Sequence, residues 1–166
     1  GGEKPVRSLP LETIARRLEN IRAHGIRDVR ILDRTFNYNA RRACDLLRLF
    51  RTHHPHLHFH LEIHPALLGD ELKALLRTMP TGLLHLEAGI QSLHEDVLQA
   101  CRRRGGLEAS LDGLRYLCAL PNVVTHADLI AGLPLYRLEQ IYADVRTLAD
   151  YGAGEIQLES LKVLPG

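Results

Sequence analysis

The chain has 166 residues, 45% hydrophobic and 25% charged, a length and balance suited to one soluble globular domain that buries about two-thirds of its unfolded surface. Lys and Arg number 21 against 20 Asp and Glu, so the net charge is +1 and no bulk field recruits nucleic acid or an anionic membrane. Composition excludes disorder, collagen and coiled coil, and no apolar run approaches the ~20 residues of a membrane helix.

Helix and strand patterns alternate along the chain. Leu11, Ile14, Ala15, Leu18 and Ile21 recur at helical spacing, closed by His24-Gly25. Asp28 to Leu32 predicts a strand. Asn39 can cap a second helix that carries Ala43, Leu46, Leu47 and Phe50 on one face and ends at His54-Pro55. His58 to Ile63 alternates strictly and predicts a strand; Asp70 is placed to cap a short helix with Leu72, Leu75 and Leu76 inside. Leu83 to Ala88 predicts the next strand, then helical cover over His94 to Ala100 and Leu107 to Leu120. Val123 to Ile130 is a strand, Leu138 to Tyr151 a helix stopped at Gly152, and Ile156 to Val163 a last strand. Each crossover is long enough for a helix, so the strands are expected to be parallel, in an open doubly wound sheet or a barrel. No linker or domain boundary interrupts residues 1–166.

Parallel strands covered on both faces read as unbroken apolar runs, and these do not. Leu57, Phe59, Leu61 and Ile63 oppose His58, His60, Glu62 and His64; Leu84, Leu86 and Ala88 oppose His85 and Glu87. Val123, Thr125, Ala127 and Leu129 oppose His126 and Asp128; Ile156 and Leu158 oppose Gln157 and Glu159. A weak repeat follows, His60-x-Glu62, His85-x-Glu87, His126-x-Asp128 and Gln157-x-Glu159, which predicts carboxylates aligned across one face. Unpaired carboxylates in a dry core are prohibitive, so that face is expected to line a solvated or ligand-filled lumen, with the helices outside. The expected fold class is therefore α/β, an incomplete open barrel of about five parallel strands. The bland alternative is an open sheet whose polar face is simply wet.

Other side chains are read more plainly. Cys44, Cys101 and Cys118 are odd in number and widely spaced, so they form no disulfide framework or metal signature and are expected to be buried in a reducing cytoplasm. His53, His54 and His56 are expected to be solvated at a helix end and turn. The His and carboxylate ladder also admits a zinc-dependent barrel hydrolase, although no helical HxxxH or strand-end HxH with a clear third ligand stands out. A non-catalytic ligand-binding barrel is a third reading.

Ligands in α/β folds bind at the carboxyl ends of strands. Those ends are polar and rich in Gly and Pro: Asp33 to Asn37, Glu62 to Pro65, Glu87 to Ser92, Asp128 to Pro134 and Leu161 to Pro165. Gly89 and Gly132 allow close backbone approach. Gly1-Gly2-Glu3 precedes the first helix and is not read as a ligand-gripping turn.

Taken together, LDRTFNYN (32–39), FHLEIHPALL (59–68), LHLEAGIQS (84–92), HADLIAGLP (126–134) and LKVLPG (161–166) resemble the radical S-adenosylmethionine enzymes. The resemblance is nearest to those with an N-terminal cobalamin-binding domain, the magnesium-protoporphyrin ester cyclase-like oxidoreductases. It implies a partial (β/α)6 barrel, a 4Fe-4S cluster on a CxxxCxxC loop and S-adenosylmethionine cleaved reductively to a 5′-deoxyadenosyl radical. It further implies a small-molecule substrate, an electron donor such as a flavodoxin or ferredoxin, and cobalamin use through a separate domain. The residues that match cofactor-facing positions are Asp33, Thr35 and Asn37; Glu62 and His64; Glu87, Gln91 and Ser92; Asp128, Ile130 and Gly132; and Leu161 and Lys162. Arg103 or Arg104 stands where related sequences carry a basic residue. The chain has no CxxxCxxC, and its three cysteines cannot stand in. The cysteine loop and first strand are expected just before Gly1, which makes this piece inactive alone and prone to self-association at an open edge.

Overall fold

A computed structural model describes residues 8–103 and 106–162. The readings on Gly1-Gly2-Glu3, Arg104 and Val163 to Gly166 lie outside the described residues. The helices are α1 (Leu11–Ala23), α2 (Ala40–His53), α3 (Asp70–Leu76), α4 (Glu95–Ala100), α5 (Leu107–Cys118) and α6 (Leu138–Asp150). The strands are β1 (Asp28–Ile31), β2 (His58–Ile63), β3 (Leu84–Gln91), β4 (Val123–Ala131) and β5 (Glu155–Ser160), and a 3-10 turn covers Pro65–Leu67.

All four strand pairs are parallel, and the sheet runs β1-β2-β3-β4-β5 without a reversal. A doubly wound sheet would reverse its order to place helices on both faces. Right-handed crossovers that always step in the same direction leave all the helices on one face. The open-barrel arrangement therefore holds, with the helices on the apolar side.

The core sits between that side and the helices. Phe50 of α2 stacks on Phe59 of β2 with ring centroids 3.9 Å apart, and Leu47, Leu61, Leu86, Leu114, Leu117 and Leu129 are wholly buried around them. Each such side chain contributes roughly 1.5–3 kcal/mol through its burial. Asn39 caps α2 as expected, its side chain accepting from the Arg42 amide at 3.0 Å.

Several boundaries differ from expectation. Asp70 is the first residue inside α3, and Gly69 precedes it with no side-chain cap. β3 runs past Ala88 to Gln91 through an irregularity between Gly89 and Gln91. β5 stops at Ser160. His54 is 1% exposed where solvation was expected; it packs inward at the end of α2, with Nδ1 3.8 Å from Glu19 on α1. Burial pushes its pKa down, outweighing the Glu19 charge. Among the cysteines only Cys44 is buried; Cys101 and Cys118 are half-buried.

The aligned carboxylates are corrected by the register. His60 and Glu62 do face His85 and Glu87. On the next pair, however, Glu87 faces His126 and Gly89 faces Asp128, and beyond it His126 faces Glu155 and Asp128 faces Gln157. The repeat slips by two residues at each of these pairs. A progressive slip of this kind is the stagger that closes a sheet toward a barrel, so the carboxylates form a diagonal.

α5 seats the far end of β2. A Cβ added at Gly113 would stand 2.0 Å from the Pro65 carbonyl oxygen, so only glycine lets the helix reach that 3-10 turn. Gly113→Ala should lower stability by at least ~1–3 kcal/mol, the usual cost of overpacking. A reduced urea midpoint at unchanged m-value checks this.

Candidate functional site

Alternation puts Arg30 of β1, His60 and Glu62 of β2, His85 and Glu87 of β3, His126 and Asp128 of β4 and Glu155 of β5 on the polar face. Arg30 donates to Glu87 Oε2 at 2.7 Å and lies 3.8 Å from Glu62. His60 Nε2 contacts the same Glu87 oxygen at 2.5 Å. The rings of His60, His85 and His126 form one cluster, with centroids 4.5 Å apart for the first pair and 5.6 Å for the second.

Above this layer, at the carboxyl ends of the strands, opens a cleft of about 410 Å³. Glu62, Glu87 and Asp128 supply its acidic wall, Arg34 and Arg103 its basic groups, and Thr35, Ile63, His64, Gly89 and Gln91 the rest. Arg103 donates to the Gly89 carbonyl, which anchors its guanidinium beside β3. At Gly89 an added Cβ would meet nothing within 4 Å, so the absent side chain leaves the backbone open to a ligand. Gln91 has a positive φ of 72° at the β3 irregularity. For a non-glycine residue this conformation costs of order 1–3 kcal/mol, and here it accompanies a side chain that lines the cleft.

The acidic wall holds a proton. Burial, then the hydrogen bond and charge of Glu87, then the charges of Glu62 and Glu159, push Asp128 up to about 7. Burial opposes ionisation of Glu87 too, but hydrogen bonds from His60 and Asp128 and the Arg30 charge outweigh it and hold that carboxyl below its usual range. Near neutrality the pair shares one proton, placed on Asp128, because two adjacent carboxylates resist double ionisation. Burial, reinforced by the Arg103 charge, lowers the His64 pKa.

Of the residues expected to face a cofactor, Thr35, Glu62, His64, Glu87, Gln91 and Asp128 meet around the cleft. Asn37 and Ser92 are 1% and 0% exposed and act as braces. Asn37 receives the His64 amide and donates to the His64 and Leu67 carbonyls, fixing the end of β2. The Ser92 oxygen accepts the His94 amide. Asp33, Gly132, Leu161 and Lys162 are exposed and lie off the cleft wall, with Lys162 3.2 Å from Glu159. Ile130 packs against the small core of Val97, Leu133, Tyr136 and Ile141.

Residues unmarked by the sequence also matter. Arg30 shows the same alternation as its neighbours, between Val29 and Ile31, and that signal could have found it. Asp144 of α6 could not be found so: it is buried, accepts from Tyr136 Oη at 2.6 Å and from the Leu93 amide at 2.9 Å, and lies 3.1 Å from His94 Nε2. It pins the loop after β3 across a separation of 51 residues.

Residues 1–156 match the sequence profile of the radical SAM superfamily. The chain belongs to the radical SAM superfamily. Its fold is shared with the radical S-adenosylmethionine methyltransferase TsrM from Kitasatospora setae, at 20% identity and TM-score 0.74 over 90% of this chain and 30% of that one. Coproporphyrinogen III oxidase (HemN) from Escherichia coli aligns at 18% identity and TM-score 0.70, over 93% of this chain and 37% of its own. The cobalamin-dependent S-adenosylmethionine radical enzyme OxsB aligns at 16% identity and TM-score 0.60, over 87% and 23%. This chain thus spans well under half the length of each. No curated protein matches it in sequence.

Superfamily membership implies S-adenosylmethionine and a 4Fe-4S cluster. The cleft suits the first: its volume falls within the ~300–1,000 Å³ of small-ligand sites, and it offers cations for a carboxylate and carboxylates for an ammonium and ribose hydroxyls. The cysteines do not suit the second. Cluster irons take thiolates, yet Cys44 lies in the core, burial pushes the Cys44 and Cys118 thiols up, and among the described residues no potential three-ligand group contains a cysteine. Among the described residues no helix is long and apolar enough to cross a membrane.

The raised Asp128 pKa has a signed consequence. A carboxyl whose folded pKa exceeds its unfolded value gives stability that is complete below the unfolded pKa and is lost as pH rises through the folded one. The window therefore runs from about pH 4 to about 7. In thermal unfolding across that range, Asp128→Asn should remove this part of the decline and gain most over the parent above pH 7.

Proposed function

We propose that this radical SAM core forms the S-adenosylmethionine- and substrate-facing side of an enzyme that cleaves the cofactor reductively. The carrying observation is the cleft at the carboxyl ends of the parallel strands, where Arg103 and Arg34 face the proton-sharing Glu87 and Asp128 with Glu62. A 4Fe-4S cluster held by a CxxxCxxC segment outside this sequence would, with bound cofactor, supply a 5′-deoxyadenosyl radical.

The chain's own groups bind and orient. Arg103, anchored on the Gly89 carbonyl, and Arg34 receive the methionine carboxylate. Glu87 and Glu62 take the ammonium, and Asp128, its proton shared with Glu87, accepts from one ribose hydroxyl while Gln91 holds the other. Bare backbone at Gly89 lets the ligand lie against β3. Ile130, Gly132 and the segment from Leu161 and Lys162 flank the adenine, and Asp33 and Thr35 border the amino-group end. Asn37 and Ser92 serve by holding these segments in place. This reading displaces the zinc hydrolase as the account of the whole chain.

The likeness to a cobalamin-dependent enzyme favours cobalamin use, with a separate domain to supply it. The substrate is a small molecule, the electron donor a flavodoxin or ferredoxin, and the compartment the cytoplasm. β1 and β5, at the two ends of the sheet order, offer edges for self-association.

Protein carrying the upstream cysteine segment, reconstituted anaerobically with iron and sulfide, should form 5′-deoxyadenosine from S-adenosylmethionine and dithionite; none formed by cluster-loaded protein refutes the reading. Arg103→Ala should raise the S-adenosylmethionine Kd by about 10-fold or more, since hydrogen bonds to charged groups contribute roughly 1.5–3 kcal/mol. Calorimetric titration measures it.

A further inference from the structure

We propose that His85, His126 and Glu155 form a binding site for a borderline divalent transition metal, of the zinc or cobalt class, on the polar face toward the amino ends of β3, β4 and β5. Three donor atoms converge there: Glu155 Oε2 lies 3.6 Å from His85 Nε2 and 3.7 Å from His126 Nδ1, and the three are mutually within 4.8 Å. Zinc bonds of ~2.0–2.1 Å at tetrahedral angles separate neighbouring ligand atoms by about 3.3 Å. A contraction of a few tenths of an ångström at Glu155, with the imidazoles drawing together, completes the set.

The second observation is independent of the spacing. The His126 side chain is only 9% exposed, and neither of its ring nitrogens has a hydrogen-bond partner; His85 Nε2 is likewise buried and unpartnered. Buried polar atoms without partners are costly, and a cation among Glu155, His85 and His126 satisfies two of these three nitrogens at once. The third, His126 Nε2, lies 3.0 Å from Asp128 Oδ1. A small ring rotation lets it donate there, which leaves the Nδ1 lone pair for the metal. A carboxylate holding the far nitrogen of a ligating histidine is the common outer-shell arrangement at zinc sites.

A neighbouring trio, His60, Glu87 and His126, has comparable spacing. It is the poorer site, because Glu87 is already held by Arg30 at 2.7 Å, and the guanidinium charge repels a cation. Among the described residues the ion-pair partners of Glu155 are the two histidines, and its half-exposed side chain leaves a coordination position open to water. Two imidazoles and one carboxylate select borderline first-row ions over Mg²⁺ and Ca²⁺, which prefer all-oxygen shells. Bound there, the ion would tie edge strand β5 to β4 and β3, below the cofactor cleft. This site stands apart from the radical chemistry and holds or fails without it.

The test is anaerobic titration of this 166-residue chain, which carries no CxxxCxxC, with Co²⁺, followed by its visible ligand-field bands. One equivalent should bind with no thiolate charge-transfer band, be displaced by Zn²⁺ and resist excess Mg²⁺. His126→Ala should abolish the bands, and Glu155→Gln, at the exposed start of β5, should weaken binding at least 10-fold with the fold intact. A His53→Asn/His56→Asn double variant, altering exposed histidines at and just after the end of α2, should leave binding unchanged. No saturable single equivalent, binding undiminished in Glu155→Gln, or binding lost in the His53/His56 variant would each overturn the proposal.

Discussion

Ionisable side chains on one face of a parallel sheet constrain everything else in this molecule. Glu62, Glu87, Asp128, His60, His85 and His126 share that face. Packing a helix over it would strand charges in a dry layer, and the desolvation cost would exceed anything the helix could return. The helices therefore all lie behind the sheet, and the strands follow one another without a reversal. The face is held together locally instead: Arg30 and His60 both contact Glu87, and burial beside Glu87 pushes the Asp128 pKa up to about 7. A wall of this kind is prepared to receive a zwitterion, because it offers both signs of charge without rearrangement.

The cleft is positioned by residues that do not line it. Asn37 ties the segment after β1 to the end of β2, and the Phe36 amide donates to the Glu62 carbonyl at 2.7 Å. Asp144, reaching from α6, fixes the start of the loop after β3 through the Leu93 amide. The Gly113 contact seats α5 against the turn that follows His64. Each brace joins distant segments, so the mouth is built on packed elements and not on free loops. This is the usual way a rigid scaffold holds a reactive ligand in one geometry.

Residue by residue, legibility tracked the range of the interaction. Strict alternation at Leu57 to His64 announced both the strand and its two environments, and Leu61, Leu86 and Leu129 are buried in the core as that alternation requires. The five polar segments were recognised, and six of the expected cofactor-facing residues meet around one cleft. The resemblance matches Asn37 and Ser92 to cofactor-facing positions, and in the fold their side-chain oxygens accept the His64 and His94 amides. His54, expected in water, is buried at the end of α2 with Glu19 of α1 3.8 Å from its Nδ1, an approach with no local signal.

The sequence by itself determined the order of helices and strands, their parallel sense and which side of each strand is wet. Those properties follow from spacing of 3.6 and 2 residues and from crossover length, all of them local. Only the tertiary structure decided who meets whom on the wet side. The two-residue slips between β3, β4 and β5 bring Glu87 opposite His126, and His126 opposite Glu155. Register is settled by the packing of side chains on the opposite face and by the stagger of a closing sheet, which no single strand encodes.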